Sequence, residues 1–221
     1  MTLDIASIDV QKLLEATYET FYMTLISLAA TFVLGILLGL LLFLTDKDGL
    51  LENKVINFIT AAFVNVFRAI PFIILILLLF PVTQFIVGTI RGPNAALPAL
   101  IIGAAPFYGR LVEIALKEID KGVIEAAQSM GANLRTIIFK VLLPESLPAL
   151  VSGITVTAIA LIGYTAMAGA IGAGGLGSYA YYAGFQRRAF DVVLVSTVII
   201  VAIVFLFQFI GDYLSKKLDK R

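Results

Sequence analysis

Long runs of apolar residues alternate with short polar links along this chain. The first run covers residues 20–45 with no charged residue. At 1.5 Å per residue it is long enough to cross a hydrocarbon core of about 30 Å as a tilted helix. After a link holding Asp46, Lys47, Asp48, Gly49, Glu52 and Lys54, the second run has two framings. From Val55 to Phe80 it contains Arg68 near its middle; from Ala69 to Ile90 it avoids that charge but contains Pro81. The first framing is preferred, with the segment after Pro81 as an outer loop. A third run, Ala95 to Leu116, follows Arg91, Gly92, Pro93 and Asn94. Its Pro98 is tolerable in a first turn, while the interior Pro106 predicts a kink. The stretch from Ser146 to Gln186 is free of charge and too long for one span. It divides into two spans, or into one span to about Gly169 and an irregular glycine-rich outer segment. Val192 to Gly211 forms a clear last span.

The distribution of basic residues chooses between these. With five spans, eleven of the sixteen Lys and Arg residues share one side, four lie on the other, and Arg68 stays within a span. A sixth span would move Lys216, Lys217, Lys220 and Arg221 to the outer side, against the cytoplasmic bias of Lys and Arg. The expectation is therefore an all-α polytopic membrane protein of about five transmembrane helices, N-terminus out and C-terminus in. Residues 1–19 carry Asp4, Asp9, Glu15 and Glu19 against one Lys12, without the basic start of a signal peptide. They are read as an outer amphipathic arm. Gly35 and Gly39 form a GxxxG pair, read either as a site of close helix approach or as the ordinary glycine content of membrane helices. Arg110, Glu113 and Lys117, spaced to meet on one helix surface, are expected as solvated pairs at the inner end of span three.

Composition narrows the function. Of 221 residues 60% are hydrophobic and only 14% charged, which excludes an ordinary soluble domain and leaves residues 1–221 as a single transmembrane domain. The net charge of +1 gives no pull toward nucleic acid. With no Cys and no His there is no thiol chemistry, His general base or His metal ligand. Any hydrolysis of fuel or capture of ligand belongs to another polypeptide. A Ser–Lys intramembrane hydrolase is not strictly excluded.

Residues 120–146 are the one long polar stretch between two hydrophobic halves. They predict two short helices with a break at Gly131. In the first, Val123, Ala126, Ala127 and Met130 fall on one face, and Glu125 sits in the first turn, where the helix dipole favours a carboxylate. In the second, Asn133 is a candidate N-cap. Leu134, Ile137, Ile138, Val141 and Leu142 form its apolar stripe, with Arg135 and Lys140 off it, and Pro144 prevents straightforward continuation. The pattern Glu125-Ala126-Ala127, three residues, Gly131, nine residues, Val141, one residue, Leu143-Pro144 resembles the "EAA" coupling loop of bacterial ABC-importer permeases of type I. The usual form has Ile where this chain has Val141. That resemblance implies that Glu125, Ala126, Ala127, Gly131, Leu143 and Pro144 engage a cytoplasmic ATPase; the alternative is an amphipathic loop lying on the membrane surface. The run Phe67 to Ile74 also resembles amino-acid importer permeases. A cation at the depth of Arg68 is costly unless it faces protein or water. Lining an aqueous cavity, pairing with a carboxylate across the assembly, and snorkelling to the interface stay open for it.

Gly172, Gly174 and Gly177 satisfy G-x-G-x-x-G, yet the preceding segment is a membrane helix and the following one is no part of a βαβ unit, so this is not a dinucleotide site. The glycines serve close helix packing or a bent, cavity-lining backbone. The runs Gly163-Tyr164-Thr165-Ala166-Met167-Ala168-Gly169 and Gly172-Ala173-Gly174-Gly175-Leu176-Gly177 are similar to the methionine-uptake branch of the same family. Candidate pathway or gate residues are Arg68, Tyr164, Met167, Gly169, Gly172, Gly174, Gly175 and Gly177. The outer Gly/aromatic loop, 172–190, carries Tyr179, Tyr181, Tyr182, Phe185 and Phe190, read as an interfacial belt or as a docking rim for a delivering protein.

The resemblance implies a multi-pass protein of a bacterial cell membrane, working as a homodimer in the lipid bilayer with two cytoplasmic ABC ATPases and an external solute-binding (lipo)protein. It implies no cofactor on this chain, with ATP on the partner. Methionine is the implied solute, and another amino acid or glycine betaine the alternative. A passive pore or scaffold without an ATPase is the reading from another class.

Overall fold

The structure, a computed structural model, describes residues 8–219, and these fold into helices joined by short turns. Helix α1 runs from Val10 to Thr45, with Asp9 capping it by accepting from the Lys12 N–H at 3.2 Å. No proline interrupts it, so residues 10–19 are its first turns, and the expected border between an arm over 1–19 and a span from 20 is absent. The rest of that arm lies outside the described residues.

Helix α2, Lys54–Ala69, is capped by Asn53, whose side chain accepts from the N–H groups of Val55 and Ile56. Asn57 donates back to the Leu42 carbonyl at 2.9 Å, tying the start of α2 to the end of α1. The stretch from Val55 to Phe80 is not one straight span. Pro71 disfavours helical backbone at the residue before it, Ile70 is extended (φ −76°, ψ 122°), and the chain turns by 108° into α3, Phe72–Leu78. The segment after Pro81 is not a loop: Pro81 sits in the first turn of α4, Phe80–Val87, where its missing N–H costs nothing.

Helix α5, Pro93–Lys117, is the most buried long helix and pairs most extensively with α1. Of the two readings of Gly35 and Gly39, close approach holds. Tyr108 lies where a Gly35 side chain would stand, and Val112 and the Gly109 carbonyl lie where a Gly39 side chain would stand. Tyr108 is fully buried and donates to the Leu150 carbonyl at 3.2 Å, which fixes the helix carrying Leu150 against α5.

The 120–146 segment forms α6, Lys121–Ser129, and α7, Leu134–Ile137, but α7 does not stop at Pro144. It widens into a π-helical turn over Ile138–Leu142 and continues as α8, Leu143–Ala170. In the wide turn the Leu143 N–H reaches the Ile138 carbonyl, five residues back. This relieves the clash that a proline ring makes with the carbonyl four residues before it. Beyond α8, the glycine-rich segment is mostly helical rather than irregular: a tight turn, then α9, Gly175–Ser178, and a π-helical stretch, Tyr179–Phe185. Helix α10, Phe190–Leu218, packs on α8, with Gly211 against Thr155 and Ser152 and Ser215 hydroxyls 2.9 Å apart.

Among the described residues, four helices are long and apolar enough to cross a membrane, and the bent α2–α3 pair makes a broken fifth. The start of α1 and the glycine-rich turn share one end of the bundle; the 120–146 segment and the end of α10 share the other. Buried hydroxyls such as Thr20, Thr24, Thr157 and Ser196 donate to carbonyls four residues back, as a solvent-poor bundle requires. Much of α10, including Phe205 and Phe209, leaves large apolar side chains exposed, as expected of a lipid-facing or subunit-facing surface.

The α1–α5 contact gives a direct test. Gly39→Leu is expected to destabilise the detergent-solubilised protein by about 1–3 kcal/mol, the usual cost of overpacking. Gly163→Ala, at a helical position with open space around it, should leave the thermal midpoint unchanged or raise it.

Candidate coupling loop and pathway cavity

Helix α6 begins at Lys121, and Asp120 caps it by accepting from the Gly122 N–H at 2.7 Å. Glu125 therefore stands in the second turn, not the first, and Asp120 occupies the dipole-favoured place. The expected apolar face is also rotated. Only Ala127 of its four members is buried; it packs with the half-buried Ile124 against the cluster of Leu116, Ile137 and Leu142. Val123, Glu125, Ala126 and Met130 face outward, with Met130 82% exposed. The period fitted two faces, and tertiary packing took the one centred on Ile124 and Ala127.

Gly131 ends α6 in the left-handed region at φ 78°. Its N–H donates to the Gln128 carbonyl and that of Ala132 to Ala127, a Schellman arrangement. Asn133 caps α7 as expected, accepting from Thr136 N–H at 2.9 Å. The second stripe packs into the same cluster, with Arg135 and Lys140 exposed. Leu143 and Pro144 lie at the junction with α8, remote in sequence from Glu125 but on the same rigid unit. Between α6 and the α1–α2 link is an open cleft of 570 Å³ lined by Asp46, Lys117, Lys121, Glu125 and Gln128 among others.

The pairs expected in solvent are instead a partly buried network. Glu113 has a side chain only 5% exposed and uses both oxygens, one on Arg110 at 2.6 Å and one on Lys117 at 2.8 Å. Lys117 also holds Asp46 at 2.6 Å. This ties the end of α1 to the end of α5 next to α6. Asp46 escaped the sequence reading because it lies far along the chain from Glu113, and only the α1–α5 packing brings them together. The hydrogen bond from Lys117, with that from the Lys47 N–H second, holds the Asp46 carboxyl below the usual carboxylate range.

At mid-bundle, Arg68 and Tyr164 line one cavity of 260 Å³ with Phe67, Phe72, Gly103 and Phe107. The Tyr164 ring stacks on Phe72 with centroids 4.4 Å apart and planes within 6°. Met167 does not line this cavity; it is exposed about one helical turn further along α8. Gly169 and Gly177 are committed to packing: side chains there would run into Ser178 and Ala166 backbone, respectively. Gly174 and Gly175 have positive φ, and the turn they form is pinned to α1. Gly175 N–H donates to Glu19 Oε2 at 2.6 Å and Leu176 N–H to Thr20 Oγ1 at 2.9 Å. The Gly172 carbonyl accepts from Gly92 N–H. Glu19 and Phe72 are the participants that sequence reasoning missed. A carboxylate at the border of the charge-free run 20–45, in the third turn of α1, was the available signal for Glu19.

Residues 31–221 match the family described as binding-protein-dependent transport system inner membrane component. The chain is 66% identical to the methionine import system permease protein MetP of Bacillus subtilis (strain 168), covering 97% of each chain. It is 47% identical to the probable D-methionine transport system permease protein MetI of Vibrio cholerae, over 95% of this chain and 93% of that one. Among solved structures, it superposes on the inward-facing MetNI methionine ABC transporter with a TM-score of 0.91 and 43% identity, covering 96% of this chain and 98% of that one. An amino acid ABC transporter with histidines shares the fold, with a TM-score of 0.81, 18% identity, and 98% and 100% coverage.

Two outcomes follow from the charge network. The pair Arg110→Met with Lys117→Met strands the buried Glu113 carboxylate and is expected to cost roughly 3 kcal/mol by thermal or denaturant unfolding in detergent. Glu113→Gln should cost under about 1 kcal/mol, because the two cations are half exposed and rehydrate. Asp46 adds a pH dependence of known sign. Its carboxyl is depressed in the folded state, so its stabilisation is fully present above the ordinary Asp range and is lost as pH falls through the lower folded value. Asp46→Asn should therefore lower the thermal midpoint equally at pH 6 and pH 8 (about two pH units above an ordinary Asp carboxyl and higher), and the gap to the unsubstituted protein should close in strong acid.

Proposed function

Since the chain belongs to the family of binding-protein-dependent transport system inner membrane components, we propose that it is the multi-pass permease subunit of an ATP-driven ABC importer for methionine. Two copies pair in the bilayer, each with a cytoplasmic ATPase, and an external binding protein delivers the solute. The chain does no covalent chemistry; ATP is bound and hydrolysed by the partner. N-terminus outside and C-terminus inside is the orientation that fits the basic residues at the end carrying residues 120–146.

The observation that supports the coupling reading is mechanical. The outward face of α6, with Glu125, Ala126 and Met130, is free within this chain, while its buried face joins α7 through one apolar cluster. From Leu134 to Ala170 the chain is a single helical run of 37 residues. A displacement of α6 by an ATPase is thus carried by one helix to Tyr164 at the cavity. Closure of the ATPase pair on ATP moves the two α6 helices, the membrane helices rock, and the solute enters the opened path. Met167 and the cavity residues Arg68 and Tyr164 are the assigned pathway lining. Gly169, Gly172, Gly174, Gly175 and Gly177 shape the turn that closes its far end.

The test is uptake of radiolabelled methionine by cells lacking or carrying this chain, with excess betaine or other amino acids as competitors. Uptake restored by the chain and competed by methionine alone is the expected result; unchanged methionine uptake would remove the substrate. Gly131→Val forces a β-branched residue into left-handed backbone, at about 1–3 kcal/mol of strain. It should cut uptake by about tenfold or more, equivalent to roughly 1.4 kcal/mol of lost coupling, while the isolated ATPase keeps its activity.

A further inference from the structure

We propose that Arg68 is the carboxylate-binding residue of the pathway, gripping the α-carboxylate of the amino acid in transit while the aromatic walls hold its apolar side chain. This rests on the reading of the chain as an amino-acid importer permease.

Depth is the first argument. The cavity that Arg68 lines includes Gly103, near the midpoint of α5, so Arg68 stands near mid-height of the bundle rather than at either end, on a face that this chain alone leaves exposed. A cation at that depth is retained at a cost and calls for a partner or water. The chain supplies no anionic partner: among the described residues the ion pairs of Arg and Lys side chains involve Lys12, Arg110 and Lys117, and the Arg68 guanidinium makes none and no hydrogen bond. The last turn of α2 offers only the negative end of its dipole, a partial compensation.

Shape is the second. Pro71 forces the 108° bend immediately after Arg68, which aims the end of α2 at α5 and α8 instead of letting it run on. The space so made is 260 Å³, below the roughly 300–1,000 Å³ of pockets for drug-sized ligands, and suited to a solute the size of one amino acid. Its walls are Phe67, Phe72, Phe107 and Tyr164, with no carboxylate among the lining residues. A guanidinium fork matches a carboxylate bidentately. Aromatic faces and edges take aliphatic and thioether side chains. One fixed cation beside an apolar, aromatic wall is complementary to an apolar amino acid presented carboxylate first.

The experiment uses the assembled transporter, with both permease copies, the ATPases and the binding protein, in lipid vesicles. Initial methionine uptake, ATP hydrolysis stimulated by the loaded binding protein, and photolabelling by diazirine-bearing photo-methionine during turnover are compared for the unsubstituted protein, Arg68→Gln and Arg68→Lys. Arg68→Gln is expected to lose about tenfold or more of uptake, and a similar factor of labelling on peptides bearing Phe107 or Tyr164, while stimulated hydrolysis stays within about twofold. Arg68→Lys, which keeps the charge without the fork, should fall between, with a raised half-saturation and a preserved maximal rate. Uptake and labelling unchanged in Arg68→Gln would overturn the assignment. So would a joint loss of uptake and stimulated hydrolysis in both variants, which marks Arg68 as structural, paired with the other subunit or with lipid. Failure of the unsubstituted transporter to take up methionine is a separate outcome: it removes the importer reading itself, and this assignment with it.

Discussion

The close approach of α1 and α5 is the contact on which the rest of the bundle depends. Gly35, Gly39 and Gly109 let the two helices meet nearly backbone to backbone, with Tyr108 and Val112 filling the remaining space. In lipid there is little hydrophobic gain from helix association, so tight van der Waals contact at small residues carries the pairing. From Tyr108 the contact extends to α8 through the Leu150 carbonyl, and from Val112 it leads one turn on to the Lys117–Asp46 clasp. The glycine-rich turn then docks on the opposite end of α1 through Glu19 and Thr20. Both candidate sites are therefore hung on one helix pair, at its two ends and its middle.

Proline does the complementary work. Three prolines have three outcomes set by what surrounds them. Pro71 breaks the chain because the residue before a proline disfavours helical backbone and Ile70 is extended, and the bend opens the Arg68 cavity. Pro81 starts a helix, where its missing donor is harmless. Pro144 is carried through, because a π-helical turn precedes it and relieves the clash of its ring with the preceding turn. The same residue type gives a corner, a start and a joint, and only the neighbours decide which.

That dependence explains what could be read from the sequence alone. Long apolar runs marked the four long helices α1, α5, α8 and α10, since the length needed to cross a bilayer is a property of the run itself, whereas the second span, Val55 to Phe80, is bent at Pro71. Asn133 as a cap and Gly131 as a break are local chemistry and came out as expected. The buried face of α6 did not, because Val123, Ile124, Ala126 and Ala127 make one broad apolar side, and the neighbours decide which part of it is covered. The burial of Glu113 was equally hidden, since helix packing sets it, and Asp46, which shares Lys117 with Glu113, arrives from another helix. The cavity of Arg68 needs residues from α2, α3, α5 and α8 at once, a combination with no sequence signal beyond the costly charge itself.

The helix from Leu134 to Ala170 joins these levels. A strut that reports motion at one end to a cavity near the other has to be stiff along its length, and an unbroken hydrogen-bonded helix is. It must also bear on its neighbours at the point where force enters. The wide turn at residues 138–142 and the prolines at 144 and 148 sit at that point, where the backbone has given up some of its regular bonds. Beyond Pro148 the helix is regular and packed on both sides by α5 and α10. In the proposed cycle the joint is therefore the compliant part and the distal helix the rigid part. Tyr164, stacked on Phe72 of α3, is the contact through which its movement would be felt at the bend of α2 and α3. On the α3 side of the bend Phe72, Leu75 and Ile76 are buried, so a shift of α8 reaches it through packed side chains. The bent α2–α3 span thus faces the helical run from Leu134 to Ala170, with Arg68 beside the cavity between them.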